Sequence, residues 1–215
     1  MKIKWLGHSS FLITAADGTR IVTDPYDVGM GLSYGEIKEA ADIVTVGHKH
    51  PDHDNVAVVK GKPQVVEATG SQKVKGIDFK GIATYHDTSE GSERGQNTVF
   101  CFMVDGISVC HLSDLGHRFS DKQLAELGDV DVILVPVGGF YTIDAATASD
   151  VCDQVKPRVV IPMHYKTDKC AYPIAGVEDF LKGKTKVKMM DSSEVELKKG
   201  QLPKATEIIV LKNAL

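Results

Sequence analysis

Apolar, β-branched runs recur along this chain, and one after another they stop at a histidine or an aspartate. Ala41-Asp42-Ile43-Val44-Thr45-Val46 runs into Gly47-His48, and Gly81-Ile82-Ala83-Thr84-Tyr85 into His86. Ile107-Ser108-Val109-Cys110 runs into His111 and then Asp114, and Arg158-Val159-Val160-Ile161-Pro162-Met163 into His164. Such runs read as buried strands, so the titratable residues sit at strand ends. Strands sharing one edge of a sheet would gather them around a single cleft, a bias that scattered surface histidines would not show. The eight histidines fall in a few short blocks: His8, the trio at 48 to 53, His86, His111 with His117, and His164.

The densest block, His48-Lys49-His50-Pro51-Asp52-His53, packs three imidazoles and a carboxylate into six positions. It follows the glycine that ends a strand, so it lies on a loop with a rigid base and an open mouth. There His48 and His50 would point together, with Asp52 and His53 offset to a second point. A solvated polar turn with incidental histidines is the competing reading. Clustered histidine and aspartate are, however, the usual ligands of hydrolytic metals, and the spacing suits two ions.

The rest of the chain is organised as short strands with helices entering late. Strands are expected near 2 to 6, 10 to 14, 20 to 24, 42 to 46, 63 to 68, 79 to 85, 97 to 104 and 107 to 112. Asp105-Gly106 should close the last two as a tight hairpin. Ser120 with Gln123 forms a capping box for a helix that Gly128 ends, and Asp144 caps another that Pro157 stops after Val155. Between them Val130–Val137 is apolar throughout, as expected of a strand covered on both faces, and 158 to 163 repeats the pattern. A short helix near 176 to 182 and closing strands near 186 to 190, 194 to 198 and 206 to 212 follow. The alternation suggests two packed sheets with helices outside, an α/β chain folding as a single domain over residues 1 to 215.

With 42% hydrophobic and 25% charged residues the chain can bury a sizeable core, and disordered or fibrous classes are excluded. A formal net charge of −4 gives no electrostatic reason to expect a nucleic-acid partner. The N-terminus lacks the apolar segment of a signal peptide, and no run is long enough to span a bilayer. A cytoplasmic protein with no membrane partner is expected. Cys101, Cys110, Cys152 and Cys170 show no metal or redox spacing and read as reduced core residues, with Cys110 four positions before Asp114.

The His48-x-His50-x-Asp52-His53 motif, followed by His86, Asp114 and His164, resembles the metallo-β-lactamase superfamily along nearly the whole chain. Trp5-Leu6-Gly7-His8-Ser9, Arg94-Gly95-Gln96-Asn97-Thr98, Pro136-Val137-Gly138-Gly139-Phe140-Tyr141-Thr142 and Ile161-Pro162-Met163-His164-Tyr165 look like its small metal-dependent hydrolases, a branch that includes ascorbate-6-phosphate lactonase-like proteins. The resemblance implies a four-layer αββα sandwich. It also implies a first ion on His48, His50 and His86, a second on Asp52, His53 and His164, and Asp114 bridging both. Two departures stand out: Ser113 occupies a position usually held by glycine, and His117 one usually apolar or small. His50, where flavodiiron oxidoreductases carry glutamate, argues against an iron redox enzyme.

Two such ions share a hydroxide that serves as nucleophile, and no serine or cysteine is required. Asp52 would orient that hydroxide. His8 and His117 are candidates to donate to substrate or to orient a ligand, whereas His111 reads as structural. Arg94, Tyr141 and Thr142 are candidate substrate contacts on loops beyond strand ends. The expected activity is hydrolysis of a small ester, lactone or phosphoester with zinc, or else manganese or iron, as cofactor. A phosphodiesterase or nuclease of the same fold and a non-catalytic metal-binding scaffold are the alternatives. The partner is then a small molecule, and a homo-oligomer is compatible with everything in the chain.

Overall fold

The computed structural model describes residues Met1–Leu215. The first strands are β1 (Lys2–Gly7), β2 (Ser10–Thr14), β3 (Arg20–Thr23), β4 (Ile43–Thr45) and β5 (Gln64–Val66). After them come β6 (Gly70–Val74), β7 (Ile77–Tyr85), β8 (Gln96–Val104), β9 (Ile107–His111), α1 (Asp121–Leu127), β10 (Val132–Pro136) and α2 (Ala145–Val155). The chain closes with β11 (Val159–Met163), α3 (Val177–Leu181), β12 (Val187–Met189), β13 (Glu194–Glu196) and β14 (Glu207–Val210).

These strands form a six-stranded sheet, β13-β1-β2-β3-β4-β5, and an eight-stranded sheet, β12-β14-β11-β10-β9-β8-β7-β6. The first sheet shows how its sequence pattern fixes two faces. Ile3, Trp5, Phe11, Ile13, Ile21 and Ile43 point into the large core shared with the second sheet. Their neighbours Leu6, Leu12, Val22 and Val44 point the other way, into a separate apolar cluster with Tyr26, Leu32, Tyr34 and Ile37. The period of two thus places apolar side chains on both faces, and both must be covered. In the second sheet β10 and β11 are buried along their whole length, as their unbroken apolar runs require. α1 packs on β7, and α2 on β10 and α3. The outer face of the first sheet is covered by the irregular segment around Tyr26–Ile37 with Cys170 and Ile174 rather than by an α-helix.

Both expected helix caps are present: Ser120 and Gln123 exchange the two capping-box bonds, and the Asp144 side chain accepts from Thr147 N. Asp105 and Gly106 both adopt left-handed φ values, 51° and 73°, as the two-residue hairpin between β8 and β9 demands. One strand was not expected. β6 is a polar edge strand, Gly-Ser-Gln-Lys-Val, paired to β7 through Lys75-Gly76; without alternating apolar residues it carries no strand signal, and its lysine suits an unprotected edge. The closing strands also divide between the sheets, β13 joining β1 while β12 and β14 extend the second sheet. No helix is long and apolar enough to cross a membrane.

Candidate metal centre

Each residue of the site follows the C-terminal end of a strand. The first sheet supplies His8 after β1, Asp24 after β3, and the His48–His53 loop after β4; the second supplies His86 after β7, Asp114 after β9 and His164 after β11. Side-chain donor atoms collect in two groups, His48 with His50 and His86, and His8 with Asp52, His53 and His164, each group within 4.8 Å. Both groups therefore draw on both sheets. Asp114 lies between them: its Oδ2 is 3.0 Å from His53 Nε2 and 3.3 Å from His86 Nε2, and its Oδ1 is 3.5 Å from His164 Nε2.

The far nitrogens of three rings are tied back, which fixes which nitrogen faces inward. His48 Nδ1 donates to Gln96 O at 2.7 Å, His86 Nδ1 to Asp114 O at 2.8 Å, and His53 Nδ1 to Asp24 Oδ2 at 2.9 Å. Asp24 is wholly buried and also accepts from Gly47 N at 2.8 Å and from the Ser113 hydroxyl. One carboxylate thus joins the foot of the His48–His53 loop, the His53 ring and the residue before Asp114. Asp24 had a sequence signal of its own, because Arg20-Ile21-Val22-Thr23-Asp24 has the same form as the other runs that stop at a histidine or aspartate. Ser113, the departure from glycine, earns a partner here through its hydroxyl.

The backbone at the site is held in an unusual state. His8, Asp24, Ser113 and His164 have φ of 50°, 37°, 50° and 50°. Left-handed conformations cost side-chain-bearing residues about 1–2 kcal/mol each. Hydrogen bonds hold the turn at His8, whose carbonyl accepts from Trp5 Nε1 at 2.9 Å and from His164 N at 3.2 Å.

Electrostatics favour a cation at the centre. Burial opposes ionisation of Asp114, yet His53, His164 and His86 outweigh it and hold the carboxyl well below its usual range. Burial also opposes protonation of His53, but Asp114 and Asp52 overcome it and raise that imidazole well above its ordinary value. His164 is driven the other way, to about 3, first by burial and then by His8, so its ring is neutral and free to donate a lone pair. Burial lowers His48 and His86 similarly.

His53 Nε2, Asp114 Oδ1 and both ring nitrogens of His164 are buried without a hydrogen-bond partner; the close approach of His53 to Asp114 lacks hydrogen-bond geometry. An unsatisfied buried polar group costs about 1–3 kcal/mol, so three that face one another, His53 Nε2, Asp114 Oδ1 and His164 Nε2, mark a place built for something else. Imidazole nitrogens with carboxylate oxygens are the donor set of zinc, manganese and iron, and the residues fit such ions.

A cleft of about 450 Å³ opens over these atoms and includes Arg94 and Tyr141 among its walls, with Met30, and with Tyr172, which no sequence signal marked. Thr142 turns inward instead, buried, its hydroxyl 3.4 Å from Ile143 O. His8 reaches the site, its Nε2 3.2 Å from Asp52 Oδ2 and its ring centroid 4.0 Å from that of His164. His117 does not. Its Nε2 accepts from Tyr85 N at 3.1 Å, its Nδ1 donates to Arg118 O at 2.7 Å, and it borders a separate surface hollow of about 560 Å³. That hollow is the larger, but Asp114 and His164, which carry unpaired buried atoms, line the smaller cleft. His111 donates from Nε2 to Ser9 O at 2.8 Å, a structural bond, and Cys110 lies buried opposite Cys101 across β8 and β9.

A family model described as the beta-lactamase superfamily domain matches residues 2–164. A UPF0173 metal-dependent hydrolase from Carboxydothermus hydrogenoformans is 31% identical over 78% of this chain and 85% of its own. One from Archaeoglobus fulgidus is 29% identical over 94% of this chain and 97% of its own. Among solved structures, a candidate zinc-dependent hydrolase of the metallo-β-lactamase superfamily from Thermotoga maritima is 38% identical, with a TM-score of 0.81, over 98% of this chain and 97% of that one. Two sheets whose strand ends converge on paired histidine groups agree with these matches, and the chain belongs to the metallo-β-lactamase superfamily.

Proposed function

We propose that this chain is a metal-dependent hydrolase in which His48, His50 and His86 would hold one divalent ion and Asp52, His53 and His164 a second, with Asp114 placed to serve both. The observation that carries the reading is the placement of Asp114, whose two oxygens face histidines of both groups at 3.0–3.5 Å. The printed names of its relatives, metal-dependent hydrolases, agree with it. When bound, such a pair supplies water acidified from about 15.7 towards 7 and polarises a substrate oxygen.

The chain's own groups do the remainder. Burial works against ionisation of Asp52, but His53 and the His8 bond outweigh it and keep the carboxylate charged. Asp52 can therefore accept a hydrogen bond from the attacking water and aim its lone pair at the substrate, while His8 holds Asp52 in place. Serine chemistry has no support at this site: the Ser9 and Ser10 hydroxyls are buried, and neither borders the cleft. The cleft size suits a small ester, lactone or phosphoester.

Metal analysis after zinc or manganese reconstitution tests the centre, with about two ions per chain expected; fewer than one ends the dinuclear reading. Chelation should abolish hydrolysis across a panel of lactones, phosphodiesters and single-stranded RNA, and the panel separates esterase from nuclease activity. Activity retained by an Asp114→Ala, His50→Ala double variant would reject the mechanism.

A further inference from the structure

Arg94 is the one arginine or lysine lining the cleft, and its guanidinium has neither an ion pair nor a hydrogen bond within the chain. It is half-buried, and the loop that carries it is built to hold it there. Asp87, next to His86, accepts four backbone N–H bonds: Ser89 and Gly91 on Oδ1, each at 2.8 Å, and Glu93 and Arg94 on Oδ2 at 3.1 and 2.8 Å. His86 N closes the loop by donating to Gly95 O at 3.1 Å. The same short segment therefore fixes both a metal-ligand candidate and the free cation.

Aromatic rings continue from Arg94 across the cleft. Its Cζ lies 5.9 Å from the Tyr141 ring centroid, Tyr141 is 5.6 Å from Tyr172, and Tyr172 is 5.7 Å from His8. A guanidinium lying over an aromatic face gains from the ring quadrupole while its N–H groups remain free to bind an anion in a bidentate fashion. Glu90 and Glu93 on this very loop are not paired with it, and Glu93 instead accepts from the Ser89 hydroxyl at 2.7 Å.

We infer that the substrate carries a fixed negative group, a carboxylate or a phosphate, remote from the bond that is cut. Arg94 receives that group, and Tyr141 and Tyr172 lie along the body of the molecule. This inference rests on the hydrolase reading for the identity of the bond, but not for the binding of the anion.

Three acetate esters that differ only in the remote group test it: 4-acetoxybenzoate, 4-acetoxyphenyl phosphate and neutral 4-acetoxybenzamide. With the metal-loaded protein, Arg94→Gln should lower kcat/KM for an anionic ester relative to the neutral one by about 10- to 100-fold, mainly through KM. Arg94→Lys should recover part of the loss. The anion that suffers more identifies carboxylate or phosphate as the natural group. Equal losses for all three esters, or none, overturn the inference. Calorimetry with 4-hydroxybenzoate and 4-hydroxyphenyl phosphate separates it from the catalytic reading. Anion binding that weakens about tenfold in Arg94→Gln, without hydrolysis of these esters or of the lactone and phosphodiester panel, would sink the hydrolase and leave the anion site standing. Binding that does not depend on Arg94 overturns the anion site whatever the activity.

Discussion

Asp24→Asn changes one atom at the point where three strand ends meet. Oδ1 survives and still accepts from Gly47 N, but an amide NH₂ now faces His53 Nδ1 and the Ser113 hydroxyl. The serine can rotate and accept. His53 cannot: to accept from the new amide it must move its proton to Nε2, the nitrogen aimed at Asp114 and the metal position. Loss of such an outer partner typically costs 10–100-fold in metal affinity, about 1.4–2.8 kcal/mol. The φ of 37° is no obstacle, because asparagine tolerates the left-handed region as well as aspartate. The loss should fall on the ion held by His53, with the His48, His50 and His86 group keeping its affinity within severalfold. Titration of zinc against a chromophoric chelator resolves the two steps. A folded variant with both dissociation constants within twofold of the parent would refute the claim that Asp24 sets the His53 tautomer.

Other substitutions probe the surrounding frame. A Cβ at Gly116 would sit 2.3 Å from the His86 carbonyl carbon and the Asp87 N, so Gly116→Ala must displace His86. A loss of about 1–3 kcal/mol in thermal unfolding, with weaker binding at the His86 ion, is expected, and unchanged melting rejects it. His117→Ala removes the acceptor for Tyr85 N and should cost about 1 kcal/mol while metal stoichiometry stays the same; loss of an ion would instead place His117 in the centre. Burial opposes ionisation of Asp131, but Lys199, Ser108 N and Arg158 hold its carboxyl below the ordinary 3.8. A folded value below the unfolded one means stability present above that pH and lost as pH falls through the folded value. The stability gap between the parent and Asp131→Asn should thus narrow on acidification below about pH 4, read from denaturant midpoints; a gap that widens contradicts the sign.

Much of this arrangement can be read from the chain because it is written in local signals. β4, β7, β9 and β11 are dense apolar runs, and each is followed by a histidine or aspartate, so both the strands and the convergence of those residues were legible. Ser120 and Asp144 cap helices through contacts three residues away, which sequence spacing records directly. What escaped depends on contacts between distant segments. β6 is polar because it is an edge, Asp24 reads as the last residue of a strand until the His53 ring meets it, and Tyr172 joins the cleft from a segment without regular structure. His117 follows Asp114 by three positions, yet the turn at Leu115-Gly116 carries its ring to the Tyr85 backbone.

Both donor groups take members from each sheet, and this gives an ion at the centre a mechanical role. Held by His53 from one sheet and His164 from the other, it would act as a cross-link at the rim of the sandwich, close to where His164 N meets His8 O at 3.2 Å. Opening the sheets at that edge would then require losing the ion first. At a free metal concentration of 100 times its dissociation constant, that adds about 2.7 kcal/mol to the unfolding free energy. Amides of β4 and β11, far apart in the chain, should slow their hydrogen exchange together on loading, because a single clamp closes over both.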